Sequence, residues 1–174
     1  MAGEATLLLI KPDAIQRGLV GAVWSRLEPL RLEVVGAKAV RVSRELAQEH
    51  YYHLKDRPFF GELVEYLQGK LHGTSYVLAF VLWGDQAVAR VRDVVGATNP
   101  EQADPASIRG AFGRLTTAGL MENLVHAASD PREAEREIRL WFKPHELLRP
   151  VGCEAPPLGE GRGEAGARAG SGGR

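Results

Sequence analysis

The residues with the clearest chemical potential lie in Asn123-Leu-Val-His126-Ala-Ala-Ser-Asp130, with Glu137 following the histidine by eleven positions. His126 closes a short apolar run and precedes small residues and a helix start. An imidazole is largely neutral near pH 7, so it can act there as a nucleophile. A carboxylate about three turns along the next helix can hold its other ring nitrogen in one tautomer. A lone histidine beside a strand is also a common structural residue, so its companions elsewhere decide how it reads.

Those companions come in a fixed order. Lys11-Pro12-Asp13-Ala14 directly follows the first apolar run, and His50-Tyr51 and Lys55-Asp-Arg57-Pro58-Phe59-Phe60 come next. Arg92 with Gly96-Ala-Thr98-Asn99-Pro100 is followed by Ser107-Ile108-Arg109-Gly110, ahead of Asn123 and His126. Taken singly, Lys11 reads as a solvated strand end, Arg92 as helix surface opposite a valine face, and Phe59 and Phe60 as core. Tyr52 reads as packing, and His50, His53, His72 and His145 are given no role. Together, over residues 4–148, the motifs resemble the nucleoside diphosphate kinases. The ending Glu137-Ile-Arg-Leu-Trp141-Phe-Lys-Pro144-His-Glu-Leu147 fits the same resemblance.

The resemblance implies a mixed α/β sandwich of the ferredoxin-like kind. Its four-stranded antiparallel sheet would carry helices on one face, with a helical hairpin inserted before the third strand. It implies a ping-pong reaction in which a nucleoside triphosphate gives its γ-phosphoryl group to His126, and the phosphohistidine passes it to a nucleoside diphosphate. Phosphoryl transfer of this kind needs positioning and charge neutralisation above all. Lys11, Arg92 and Arg109 would supply the cations and Thr98 a hydroxyl donor. Tyr51 would position the histidine and the transferring group, and Glu137 would orient the imidazole. Phe59 would stack on the base, with Phe60 kept as core, and Asn123 would bond to sugar hydroxyls and the bridging phosphate region. Mg²⁺ would ride on the phosphates with few or no protein ligands. The implied assembly is a homo-oligomer, a tetramer or hexamer. The other functional reading is a nucleotide-binding regulatory or scaffold relative with little turnover. The complete set of site residues favours the enzyme.

Three places depart from the family pattern. The loop from Gly69 to Ser75 is longer and lacks the usual Ser-Gly-Pro turn, and the stretch between Arg109 and Asn123 is also longer. The family's His-Gly-Ser-Asp stands here as His126-Ala127-Ala128-Ser129-Asp130, so that either Ala128 or Ser129 occupies the serine position.

Composition narrows the alternatives. The chain has 174 residues, with 22 basic and 22 acidic, so nucleic-acid binding through a general basic surface is not indicated. A single cysteine, Cys153, excludes an intramolecular disulfide. The start, Met1 to Thr6, has no basic n-region and no run reaches membrane-span length, which makes the cytoplasm the expected location and membrane association unexpected. There is no Gly-x-x-x-x-Gly-Lys-Ser/Thr phosphate loop, no zinc-type Cys/His cluster, and nothing specific to a Ser-His-Asp hydrolase.

The elements that must position these residues are readable in outline. Residues 1–150 read as one globular domain, and 151–174, with eight glycines, as a mobile tail too poor in apolar groups to pack. Thr6–Ile10, Leu32–Val42, Tyr76–Trp83 and Leu124–Val125 read as strands. Helices are expected around Val20–Leu30, from a Ser43 cap through His50, and across Phe60–Leu67. A further helix would start at an Asp85 cap and end at Gly96, and another would start at Asp130-Pro131-Arg132-Glu133 and run through Trp141. Residues 97–122 show no clean period and read as a long loop. Periodicity alone leaves strand direction open.

Overall fold

The computed structural model describes residues 3–151. The expected tail therefore lies, apart from Val151, outside the described residues. The chain begins with β1 (Glu4–Ile10), α1 (Pro12–Gln16), α2 (Val20–Leu27), β2 (Glu33–Val40), α3 (Arg44–His50) and α4 (Phe60–Leu67). It continues with β3 (Val77–Gly84), α5 (Ala87–Val95), α6 (Ile108–Phe112), β4 (Arg114–Leu115), β5 (Met121–Glu122), β6 (Val125–Ala127) and α7 (Pro131–Trp141).

Four strands form an antiparallel sheet in the order β2-β3-β1-β6, and β4 and β5 make a separate hairpin. β1 is interior to the sheet, which explains its unbroken apolar run. Leu7, Leu8, Leu9 and Ile10 are all fully buried, each stabilising the fold by about 1.5–3 kcal/mol. Alternation sends Leu7 and Leu9 into a core built with α3, α4 and α7, and Leu8 and Ile10 into a second core built with α2, α5 and α6. Helices therefore cover both faces of the sheet, not the one face implied by the resemblance. A sheet whose central strands are apolar on both sides requires this cover.

The helical hairpin α3–α4 precedes β3 as expected, and the Ser43 hydroxyl accepts from the Leu46 N–H at its start. Two local expectations are corrected. Asp85 does not cap α5: Gln86 occupies the cap with φ 49°, and the Glu4 carboxylate accepts from the Val88 N–H instead. The stretch 97–122 is not a bare loop, since it holds α6 and the β4–β5 hairpin, elements too short to register as a period.

Candidate active site

Strand pairing brings the two ends of the site together. Leu9 faces His126 and Ile10 faces Val125 across the β1–β6 ladder, and the Lys11 N–H donates to the Leu124 carbonyl at 2.8 Å. Lys11 at the end of β1 and His126 in β6 are thus held by adjacent strands. Leu124 has φ 68°, a conformation that costs a non-glycine residue about 1–3 kcal/mol. It is held there by its own N–H donating to Asp13 Oδ2 at 2.9 Å.

Glu137 reaches the histidine through helix periodicity. On α7 the buried positions are Ala134, Glu137, Ile138 and Trp141, so the carboxylate sits on the core-facing stripe. Asp130 fixes the start of that helix by accepting from the Arg132 and Glu133 N–H groups. His126 Nε2 lies 2.9 Å from both Glu137 oxygens, so an ionised Glu137 holds a proton on Nε2 and leaves Nδ1 with a free lone pair. Burial pushes His126 well below its ordinary pKa, and the Lys11 and Arg109 charges add to the shift, so the ring stays neutral. Burial raises Glu137 to about 7, with His50 and Arg136 opposing.

The cations are fixed as firmly. Lys11 is buried, donates to Asn123 Oδ1, and lies 4.5 Å over the Tyr66 ring. Burial draws its ammonium down to about 7, against the pull of Asp13 and with help from Arg109. Arg109 follows the Ser107 cap of α6 and donates to the carbonyls of Gly96 at 3.0 Å and Val125 at 2.9 Å. Gly96 has φ +84°, and a Cβ there would lie 2.3 Å from the Ser107 hydroxyl, so the close approach that seats Arg109 needs glycine. Burial lowers Arg109 to about 10, with Tyr51 opposing and Arg92 reinforcing; the guanidinium remains charged at neutral pH.

Lys11, Tyr51, Phe59, Arg92, Thr98, Arg109, Asn123 and His126 all line one cavity of about 520 Å³. Glu137 stands behind His126, outside the lining. Every residue singled out from the sequence is thus brought together. Phe59 is 46% exposed at the cavity, whereas its neighbour Phe60 packs on the core as expected. Tyr51 is buried with its ring 6.4 Å from that of His126, and burial pushes its hydroxyl well above the usual value, so it stays a donor. Asn123 Nδ2 donates to the Thr98 carbonyl, tying the two stretches together.

A family model described as nucleoside diphosphate kinase matches residues 4–147. The chain belongs to this family. It is 47% identical over 139 residues to a nucleoside diphosphate kinase of Symbiobacterium thermophilum, covering 80% of this chain and 87% of that one. Against the enzyme of Pyrococcus horikoshii the figure is 44% over 145 residues, covering 83% and 88%. Among solved structures, the Halobacterium salinarum nucleoside diphosphate kinase in complex with CDP superposes with TM-score 0.76 at 38% identity, covering 87% of this chain and 95% of that one. A transition-state mimic of the Borrelia burgdorferi enzyme with bound vanadate and ADP gives 0.75 at 33%, covering 87% and 94%.

Some neighbours of the site were given no role from the sequence. His50 is fully buried with its ring 4.3 Å from that of His126, and its Nδ1 accepts from the Trp141 indole N–H at 3.2 Å. Burial, followed by the neighbouring His126, pushes its pKa well down, so it forms a neutral wall against the nucleophile. The available signal was its place three residues after Ala47 on the inward stripe of α3. Tyr66, under Lys11, had the same kind of signal in α4. Of the two candidates for the serine position, Ala128 is fully buried, while the Ser129 hydroxyl donates to Asp130 at 2.7 Å.

Proposed function

We propose that this protein is a working nucleoside diphosphate kinase acting through a phosphohistidine on His126. The observation that carries this reading is the bond from His126 Nε2 to Glu137, which leaves Nδ1 as the free nucleophile in a cavity carrying Lys11, Arg92 and Arg109. Nδ1 attacks the γ-phosphorus; an N–P bond forms as the bond to the β–γ bridging oxygen breaks, and the diphosphate leaves with that electron pair. The ring gains positive character, which the Glu137 carboxylate stabilises through Nε2–H. A terminal oxygen of the acceptor diphosphate then attacks the same phosphorus, and the N–P bond breaks back to Nδ1. Lys11, Arg92 and Arg109 balance phosphate charge throughout, Thr98 and Tyr51 donate hydrogen bonds, Asn123 meets the sugar and Phe59 packs on the base.

Mg²⁺ fits as a passenger of the nucleotide. Among the described residues the close metal-capable group is His50, His126 and Glu137, and its nitrogen donors suit zinc better than magnesium. Among the described residues, Glu62 is the one acid lining the cavity. The phosphate oxygens would therefore supply most ligands, and the ion would neutralise phosphate charge.

A homo-oligomer, tetramer or hexamer, in the cytoplasm completes the proposal. Exposed apolar side chains such as Leu115 and Leu148 support association, and no helix among the described residues is long and apolar enough to cross a membrane. The deciding experiment is incubation with Mg²⁺ and γ-labelled triphosphate. Acid-labile label on His126, passing to any added nucleoside diphosphate and lost in His126→Ala with nucleotide binding kept, is the expected result. Nucleotide binding without labelling of the wild type would instead support the scaffold reading.

A further inference from the structure

The two segments that are longer than the family pattern meet in the fold. His72, in the loop 69–75, and Glu122, in β5, are both buried, and His72 Nε2 lies 3.2 Å from Glu122 Oε1. The other Glu122 oxygen accepts from Arg114 Nε at 2.6 Å and lies 3.6 Å from Arg17. His72 packs edge-on against Tyr66, the ring beneath Lys11, at 4.8 Å. Burial pushes the Glu122 carboxyl upward, but its bonds to Arg114 and His72 outweigh this and keep it below the ordinary value. The loop, the hairpin and Arg17, just past α1, thus converge on one buried carboxylate.

The position of that carboxylate gives it leverage. Side chains alternate along an extended strand. Met121 and Asn123, on either side of Glu122, line the cavity, and Gly119 and Leu120 continue the same wall. Glu122 instead bonds to Arg114 on β4 and His72 in the 69–75 loop, and pairs at longer range with Arg17, the residue after α1. The turn above it is shaped by Gly119 at φ 81° and by the Thr116 hydroxyl accepting from the Leu120 N–H at 3.0 Å.

We propose that Glu122 is a positioning residue: bonded to His72 and Arg114 and ion-paired with Arg17, it latches the loop 69–75 to the β4–β5 hairpin and so sets the Gly119–Met121 wall and Asn123 against the nucleoside part of the substrate. This rests on the kinase reading of the cavity. The latch acts directly on the base and sugar, and reaches the phosphate clamp of Lys11, Arg92 and Arg109 only through Asn123 and Tyr66, which touch Lys11.

Calorimetric titration of the full chain with a nucleoside diphosphate and with inorganic tripolyphosphate, which has no base or sugar, separates the two. In Glu122→Gln and His72→Asn the Kd for the diphosphate should rise about tenfold while that for tripolyphosphate stays within about twofold. Phosphorylation of His126 at saturating nucleotide should change less than about threefold. Unchanged diphosphate affinity in folded variants, or equal weakening of both ligands, overturns the proposal. If Glu122→Gln does not fold, Arg114→Gln removes a half-exposed partner and should still raise the diphosphate Kd about threefold; no rise there overturns the proposal too. A wild type that binds neither ligand would overturn the kinase reading itself, a failure visible before any variant is made.

Discussion

At the scale of single residues, the site depends on two groups whose protonation is poised in the neutral range. Glu137 must be ionised to hold the proton on His126 Nε2, and burial places it at about 7. Lys11 must be protonated to meet phosphate, and burial places it at about 7 as well. As pH falls through that value Glu137 takes up a proton, Nδ1 ceases to be the free nitrogen, and activity is lost. As pH rises through it Lys11 loses its charge and free enzyme binds nucleotide less well. We expect a narrow bell in kcat/KM against pH centred near 7, because that ratio reports free enzyme. Bound phosphate favours the charged ammonium, so the alkaline limb of kcat should lie higher. Lys11→Arg should remove the alkaline limb; a kcat/KM profile flat from about pH 6 to 9 would contradict the assignment. Most of these residues were legible in the sequence because each belongs to a short motif whose neighbours are also constrained. His50, Tyr66 and Glu122 were not, because they act through packing and long-range pairing, and a buried histidine in a helix looks the same whether it supports a nucleophile or a core.

Elements were legible where their signals are local and lost where their partners are remote. The Ser43 and Asp130 caps bond to N–H groups two or three residues on, which a sequence window contains. The start of α5 is different. Asp85 has the right type and place, but the acceptor for the Val88 N–H is Glu4, 84 residues away, brought there because β1 and β3 are paired from Glu4 opposite Gly84. Glu4→Ala should therefore cost stability, by about 0.5–2 kcal/mol as for a lost cap. Asp85→Ala should stay within about 0.5 kcal/mol of the wild type, as at an ordinary surface position. Urea denaturation of the two variants checks this, and a reversed order would show that Asp85 caps the helix in solution. The short α6 and the β4–β5 hairpin were missed for a related reason: neither spans enough residues to show a period, and both are held by their surroundings.

For the whole molecule, the mixed sheet-and-helix architecture followed from apolar runs on β1 and β3 together with the family resemblance, whereas cover on both faces emerged only in the fold. Every residue proposed for catalysis or binding lies between Lys11 and Glu137, within the described residues. We propose that residues 1–150 form the whole catalytic domain. Deleting 152–174 should leave turnover within about twofold and the assembly unchanged by light scattering. A large fall in either would assign the tail a place on the body.

The pairing of Leu9 with His126, and of the Lys11 amide with Leu124, carries a consequence for heat and time. Nucleophile and cation are suspended from one ladder between β1 and the edge strand β6, and the Leu7–Ile10 side chains of β1 are shut away from water on both faces. Local opening of β1 would have to break both cores, so the strand that carries Lys11 and pairs with His126 holds as long as the body does. Inactivation on warming should therefore coincide with cooperative melting of the sheet, and the amides of Leu9, Ile10 and Lys11 should be among the last to exchange their hydrogens for deuterium. Residual activity falling well before those amides become labile would show that the site breathes independently.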